Sequence, residues 1–336
     1  MTFEVLDGGF LTTVQDAGRP GFAHLGVPVG GAVDTVSLAI ANLLVGNGSG
    51  AAALELTVVG PELLVRVPVV IAVAGADLGG VARPGGRRLE PGNAYRVEPG
   101  TTIAFPGSLD PRHGSRCYLA VPGGFDVPVV LGSRSTCLAA AFGGVEGRRL
   151  RRGDVLTAGA ADPGAASEAA WPADTPAVDG DTAGSDQSSV RVLPGPLLDA
   201  TGWRALHELC DTTWTVAPDS DRMGLRLGGP PLPSDARGIV SHGVAWGAIQ
   251  LPPGGAPIVL LADHQPTGGY PVIAVAITAD RPVLGQLAPG HLVRFEAVDV
   301  ATARRALAAQ RAGLETGRAA IVESQRWLDV ANWAGG

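Results

Sequence analysis

A mainly β fold with a few short helices is what this sequence predicts, and three observations predict it. Its 49 glycines and 27 prolines exceed a fifth of the 336 residues and are spread along the chain rather than gathered in one tract. Both residues punctuate turns, so this density argues for many short strands. Between the turns lie apolar or alternating runs of strand length, rich in Val, Ile and Leu. Helical spacing with a capping residue is confined to a few stretches.

In the first part the runs predict strands over 3–6, 63–67, 69–74, 94–97, 101–105 and 117–121. In the second part they predict strands over 191–193, 213–217, 247–251, 258–262, 272–277 and 292–296, with the run from Pro257 to Ala262 reading as a central strand. Asp34 can N-cap a helix over 35–45, where Val36, Ile40, Leu43 and Leu44 share one face ahead of Gly46. Asp199 caps 200–209 similarly, and Asp299 starts 300–312, a stretch of good helix formers. Residues 319–333 add a short terminal helix ending near Trp333.

Residues 158–189 are rich in Ala, Gly, Asp, Pro and Ser, without apolar period, and only Trp171 interrupts their polarity. They read as a linker or surface excursion. The organisation is therefore a β-rich domain over 1–157, the linker 158–189, a second β domain over 190–298 and a helical tail over 299–336. Pro99-Gly100-x-x-Ile103-x-Phe105 echoes Pro289-Gly290-x-x-Val293-x-Phe295, which is compatible with duplication but too common a turn to establish it.

Composition excludes several classes of function. The net charge is −7, and no basic stripe is present, so a nucleic-acid partner is not expected. The most apolar stretch, 63–76, is broken by Arg66 and Pro68 and falls short of the roughly 20 residues a membrane span needs. No signal-peptide pattern opens the chain, so a cytoplasmic location is expected. Cys117, Cys137 and Cys210 form neither a metal pair nor a disulfide framework, and the histidines are too scattered for a metal site. All 25 basic residues are arginine. Without lysine the chain cannot carry biotinyl-lysine, form a Schiff base or build a P-loop.

The richest chemistry lies between Ser241 and Pro271. Asp263, His264, Gln265 and Thr267 arrive together and are followed by Gly268, Gly269 and Tyr270. Adjacent glycines let the backbone approach a ligand closely, while a carboxylate, an amide and a hydroxyl can bind a small polar molecule from several directions. A satisfied turn between strands is the alternative, since Asp, Thr and Gly are common there. Asp263, Gln265 and Thr267 stand as catalytic candidates, with Asp263 first for proton transfer or orientation. Gln250, Gly268, Gly269 and Tyr270 stand as substrate-binding candidates. Asp16 and Arg19 either pair with each other to order a loop or hold an anionic ligand jointly. Arg134 and Ser135, within Gly132-Ser133-Arg134-Ser135-Thr136, offer an anion site or cap a turn. Ser241 and His242 are adjacent on a strand and point to opposite faces, which rules out a local dyad.

Four ordered blocks carry a family resemblance. The first runs through Asp16, Gly18, Arg19, Gly21, Gly26, Pro28, Gly30, Gly31, Ala32 and Asp34 to Asn42, Gly46 and Asn47. The second joins Tyr118, Gly123 and Gly124 to Leu131-Gly132-Ser133-Arg134-Ser135-Thr136. The third is Ser220-Asp221-Arg222-Met223-Gly224 with Arg226 and Leu227. The last comprises Ser241, Gly243, Gly247, Gln250, Pro252, Gly255, Pro257, Asp263, Gln265, Thr267, Gly268, Gly269, Tyr270 and Pro271, with Pro266 where the family has a threonine.

Together they resemble the family of 5-oxoprolinase C-subunits, or KipA-type proteins, also called allophanate hydrolase subunit 2 and biotin-dependent carboxyltransferase. The resemblance implies two tandem cyclophilin-like β-barrels. It further implies ATP-dependent opening of 5-oxoproline to glutamate together with a KipI-type subunit and a LamB/YcsF-type subunit, ATP being handled through the complex. Two other roles occur in the family: carboxyl transfer to urea from biotin, here supplied by another chain, and non-catalytic binding of a kinase inhibitor.

Overall fold

The computed structural model describes residues 1–108, 114–160, 168–172, 175, 187–196, 198–234 and 239–334. In the first half the strands sort into two sheets. One has the order Val155–Leu156, Phe3–Asp7, Glu62–Val65, Thr102–Ala104, Val81–Arg83 and Arg87–Arg88. The other has the order Leu11–Gln15, Ala53–Thr57, Arg116–Ala120, Val69–Gly75 and Asn93–Val97. Alternation along the strand Val69–Gly75 explains its two neighbours. Ile71 and Val73 face the first sheet, where Phe3, Val5, Leu63, Val65 and Ile103 complete the core. Val70, Ala72 and Ala74 face the other way, and these small side chains admit a helix at close range.

That helix is α1 (Thr35–Leu44), N-capped by the Asp34 carboxylate, which accepts hydrogen bonds from the N–H groups of Val36 and Ser37 at 3.1 and 2.9 Å. Helix α2 (Ala200–Asp211) is likewise capped by Asp199, which accepts from Gly202 N–H at 2.8 Å.

In the second half seven strands close into a barrel, in the order Gln187–Pro194, Val272–Ala276, Ala248–Gln250, Ile258–Leu260, Gly224–Gly228, Trp214–Val216 and Leu292–Ala297. Closure leaves no free sheet edge. Trp214, Val216, Leu225, Ile249, Val259 and Phe295 fill it, and α2 with the short helix α3 (Arg281–Gln286) supplies Leu206, Leu209, Val283 and Leu284. Val33, from the loop before α1, belongs to this same cluster, so the first half plugs into the second.

The tail departs from expectation. Instead of two helices, residues Val300–Ala334 form one continuous helix, α4. Its Ile321 packs into the α1 layer of the first half, and Gly317 meets the ring of Trp171, where a Cβ would collide. Residues 168–172 of the expected linker lie against that half too, through Ala94 N–H to Ala169 O at 2.7 Å and Trp171 N–H to Gly92 O at 2.7 Å. No helix among the described residues is long and apolar enough to cross a membrane.

Candidate functional site between and beside the two halves

The Asp263–Tyr270 turn leaves the barrel after Ile258–Leu260 and divides its residues between two environments. Asp263 points inward and is 6% exposed. Its Oδ2 accepts from Arg222 Nε at 2.9 Å and its Oδ1 from Arg222 Nη2 at 3.1 Å. The same guanidinium donates to Gly31 O at 2.6 Å and, through Nη1, to Glu55 in the second sheet of the first half. Glu55 also accepts from Tyr118 Oη–H at 2.7 Å and Val33 N–H at 2.9 Å. Burial works against the Glu55 charge. Arg222 and Arg116, with the Tyr118 and Val33 bonds, outweigh it and hold the carboxyl below the usual range. Arg222 itself is desolvated, yet Asp263 and Glu55 drive its pKa upward.

A second bolt joins the halves at α3. The Gln286 amide donates to Asp34 Oδ2 at 2.7 Å and Arg116 O at 3.0 Å, and accepts from Ser115 N–H at 3.1 Å and Arg116 N–H at 2.9 Å. Arg116 Nη1 donates back to Gly285 O. Burial raises the Asp34 pKa, although the hydrogen bonds from Ser37, Gln286 and Val36 oppose this.

From Gln265 onward the turn is more exposed, whereas His264 is as buried as Asp263. Gln250, Gln265 and Tyr270 line a pocket of about 240 Å³ together with Asp219, Asp221, Arg226 and four less polar neighbours. Gln250 Nε2 is buried without a partner among the described residues, and a Cβ on Gly268 would displace this amide end. Thr267–Gly268 pairs with His242–Gly243 in a two-stranded ribbon, leaving Thr267 exposed and Gly269 beside Ser241.

The residues around Asp16 form a separate knot. The Asp16 carboxylate accepts from Ser133 Oγ at 2.7 Å, Gly18 N–H at 2.8 Å, Arg134 N–H at 2.6 Å and Ser135 Oγ. Arg19 does not pair with it through a hydrogen bond. The guanidinium lies over the Phe142 ring, 4.8 Å from its centroid, and donates to Ser135 O, while Nε and Nη1 are buried without partners. Burial lowers the Arg19 pKa. Arg134 turns to Asp126 at 3.0 Å and to Val127 O. None of Asp16, Arg19, Arg134 and Ser135 lines the pocket beside the turn.

Sequence reasoning did not single out the cleft between the halves. It encloses about 330 Å³ between the loop carrying Val27 to Thr35 on one side and Trp246, His264, Pro266 and Arg281 on the other. Arg281 stacks over Trp246, 4.9 Å from the ring centroid, and its Nη2 donates to Trp246 O at 3.2 Å. His264 is 6% exposed, and its Nδ1 lies 2.7 Å from Gln265 O. Of these three, His264 alone carried a signal, as the immediate neighbour of Asp263, because Trp246 and Arg281 belong to no short chemical motif. A cavity of about 470 Å³ lies beside α2 and is mostly apolar, lined by Leu198, Ile239, Val240 and Leu251 among others. Its polar lining is Asp199, which caps α2, with Thr201, Ser234 and His242, whose Nδ1 is buried without a partner among the described residues.

Residues 25–297 match the family described as carboxyltransferase domain, subdomain A and B. The C-subunit of 5-oxoprolinase from Escherichia coli (strain K12) is 36% identical over 298 residues, which are 87% of this chain and 90% of that protein. Its counterpart from Haemophilus influenzae, also a 5-oxoprolinase C-subunit, is 34% identical over 303 residues, 90% of this chain and 93% of that protein. Among solved structures, the Kluyveromyces lactis urea carboxylase superposes with a TM-score of 0.83 at 29% identity. The match covers 94% of this chain but only 29% of that one.

Proposed function

The chain belongs to the carboxyltransferase family of subdomain A and B, and from that premise we propose that it serves as the C-subunit of a multi-subunit, ATP-dependent 5-oxoprolinase. The observation that carries this reading is the similarity to the 5-oxoprolinase C-subunits. They are 36% and 34% identical over 87% and 90% of this chain, against 29% for the urea carboxylase over 94% of it. A KipI-type subunit and a LamB/YcsF-type subunit complete the assembly. ATP acts through the complex, since a chain without lysine has no P-loop to hold it.

The reaction opens a cyclic amide to glutamate. It needs positive charge for the substrate carboxylate, hydrogen bonds to the amide, an acceptor for the proton of water and a donor for the departing nitrogen. Gln250, Gln265, Thr267 and Tyr270 offer neutral hydrogen-bonding groups, with Gly268 and Gly269 allowing close backbone approach. Asp219 pairs with Arg226 at 3.1 Å and Asp221 accepts from the Met223 N–H at 2.8 Å, so each carboxylate of that pocket already has one partner. Such a set orients a substrate better than it moves protons, which supports a site completed by the KipI-type partner. Asp263 acts through Arg222 by fixing the turn, and Asp16, Arg19, Arg134 and Ser135 shape the loops facing it.

Purified chain, alone and with its KipI-type and LamB/YcsF-type partners, is the direct test. Glutamate should form from 5-oxoproline and ATP only when all three are present. Glutamate from the isolated chain would refute the shared site, and none from the trio would refute the oxoprolinase reading. The superposition on urea carboxylase favours one alternative, carboxyl transfer to urea or a related amide with biotin carried by another chain. Urea- and biotin-dependent bicarbonate consumption would mark it. A stable complex without any turnover would mark the KipA-type binding role.

A further inference from the structure

We propose that the cleft between the two halves binds a small carboxylic acid that also carries an N–H group, Arg281 holding the carboxylate and His264 accepting from the N–H. The inference stands on the cleft's own chemistry. It meets the oxoprolinase reading because 5-oxoproline, a lactam with a carboxylate, is a member of this class.

Buried charges are normally paired, because desolvation without a partner is costly. Arg222 obeys this with two carboxylates and a carbonyl. Arg281 does not. Its contacts among the described residues are the Trp246 ring and the Trp246 carbonyl, its Nε has no partner, and no neighbouring carboxylate offsets its desolvation. Stacking on an aromatic face fixes the guanidinium plane and leaves its edge for a planar anion, the geometry in which arginine recognises carboxylates.

His264 supplies the complementary group. With Nδ1 at 2.7 Å from the Gln265 carbonyl, that nitrogen carries the proton and Nε2 is left as an acceptor. Burial, helped by the Arg281 charge, keeps the ring's pKa below its ordinary value, consistent with a neutral acceptor. The opposite wall presents backbone at Gly30 without a side chain in the way. Gly30 lines the cleft at φ +63°, and a Cβ there would lie 3.2 Å from Arg19 Nη1 and 3.7 Å from Asp263 Oδ1. Arg19, with two unpartnered nitrogens, sits directly behind that glycine. The remaining lining is largely apolar, including Val27, Val29 and Val33, which suits a compact ring.

The test is calorimetric binding to the full chain, alone and with its KipI-type partner, using three probes. They are 5-oxoproline, 2-pyrrolidinone (no carboxylate) and cyclopentanecarboxylate (no N–H). The expected order is 5-oxoproline strongest, with each deletion weakening binding at least tenfold. Arg281→Gln should lose at least tenfold for both acids and leave the weak pyrrolidinone signal unchanged, while Arg281→Lys, which keeps the charge but not the planar fork, should recover only part of the loss. Circular dichroism and thermal melting check that each variant folds. Absence of binding by every probe to both preparations would overturn the proposal, as would equal binding to wild type and a folded Arg281→Gln variant. Binding that follows this pattern in a trio without turnover would leave the site standing and remove the oxoprolinase reading.

Discussion

Arg222 and Arg281 both come from the barrel half, and both border the loop through Gly30 and Gly31, yet they are treated in opposite ways. Arg222 is 3% exposed and has each nitrogen bonded, to Asp263, Glu55 and the Gly31 carbonyl. Arg281 is desolvated against an indole and has no acid beside it among the described residues. A saturated charge can only hold the structure in one arrangement. An unsaturated one next to a cavity still has interaction energy to give to a ligand. The contrast separates the seam that joins the halves from the cleft that the seam holds open.

Breaking the saturated member should have the largest effect. Arg222→Met leaves Glu55 and Asp263 buried without their shared counter-charge and should cost about 3–5 kcal/mol of folding stability, read by urea denaturation. The pH dependence sharpens this. In the wild type the Glu55 carboxyl is held below the usual carboxylate range, so its contribution is present at neutral pH and is lost as pH falls through that lowered folded value. In the variant the strongest opposition to burial is gone, so the acid-side loss of stability should shrink. An unchanged denaturation midpoint at pH 7 would show that the seam does not depend on this guanidinium.

Asp263→Asn probes the same seam more gently. The amide keeps one acceptor for Arg222 but removes the charge, and Glu55 remains, so a loss of about 2 kcal/mol is expected. The kinetic readout decides what Asp263 does. If it only fixes the turn, turnover of the reconstituted trio should fall less than tenfold and 5-oxoproline affinity should move with it. A loss of a hundredfold or more at unchanged affinity would restore it as a proton-transferring group.

Much of the fold was legible because its strands are apolar runs bounded by turn residues. The runs at 69–74 and 258–262 needed no partner to be recognised. Leu11–Gln15 and Ala53–Thr57 were not seen, because Thr12, Thr13, Gln15 and Glu55 look like surface residues. They are buried, and Glu55 is satisfied from other segments, Arg222 and Tyr118 among them, while Gln15 donates to Thr136 O and leaves its Oε1 without a partner among the described residues. Helix α3, with a proline in its first turn and six residues in all, is too short to show a period. The tail reads as two helices, 300–312 and 319–333, yet it forms one, and within it the missing Cβ of Gly317 makes room for Trp171. The site was legible in part. Asp263 and Arg222 each lie in a recognisable block, but their pairing spans 41 positions, and the stacking of Arg281 on Trp246 spans 35. Long-range electrostatics leaves no local periodicity to read.

Tyr270→Phe should have the smallest effect on the fold and the cleanest meaning. Tyr270 is 41% exposed at the rim of the pocket that Gln250 and Gln265 share. Removing its hydroxyl takes nothing from the seam and should change stability by less than about 0.5 kcal/mol. A hydroxyl that touches substrate or the partner-completed site should still lower kcat/KM of the trio by fivefold or more, roughly 1 kcal/mol. Full activity in this variant would assign the outward pocket to the scaffold and leave recognition to the cleft beside Arg281. Lost activity with an undisturbed melt would show that both sides of the turn serve the same substrate.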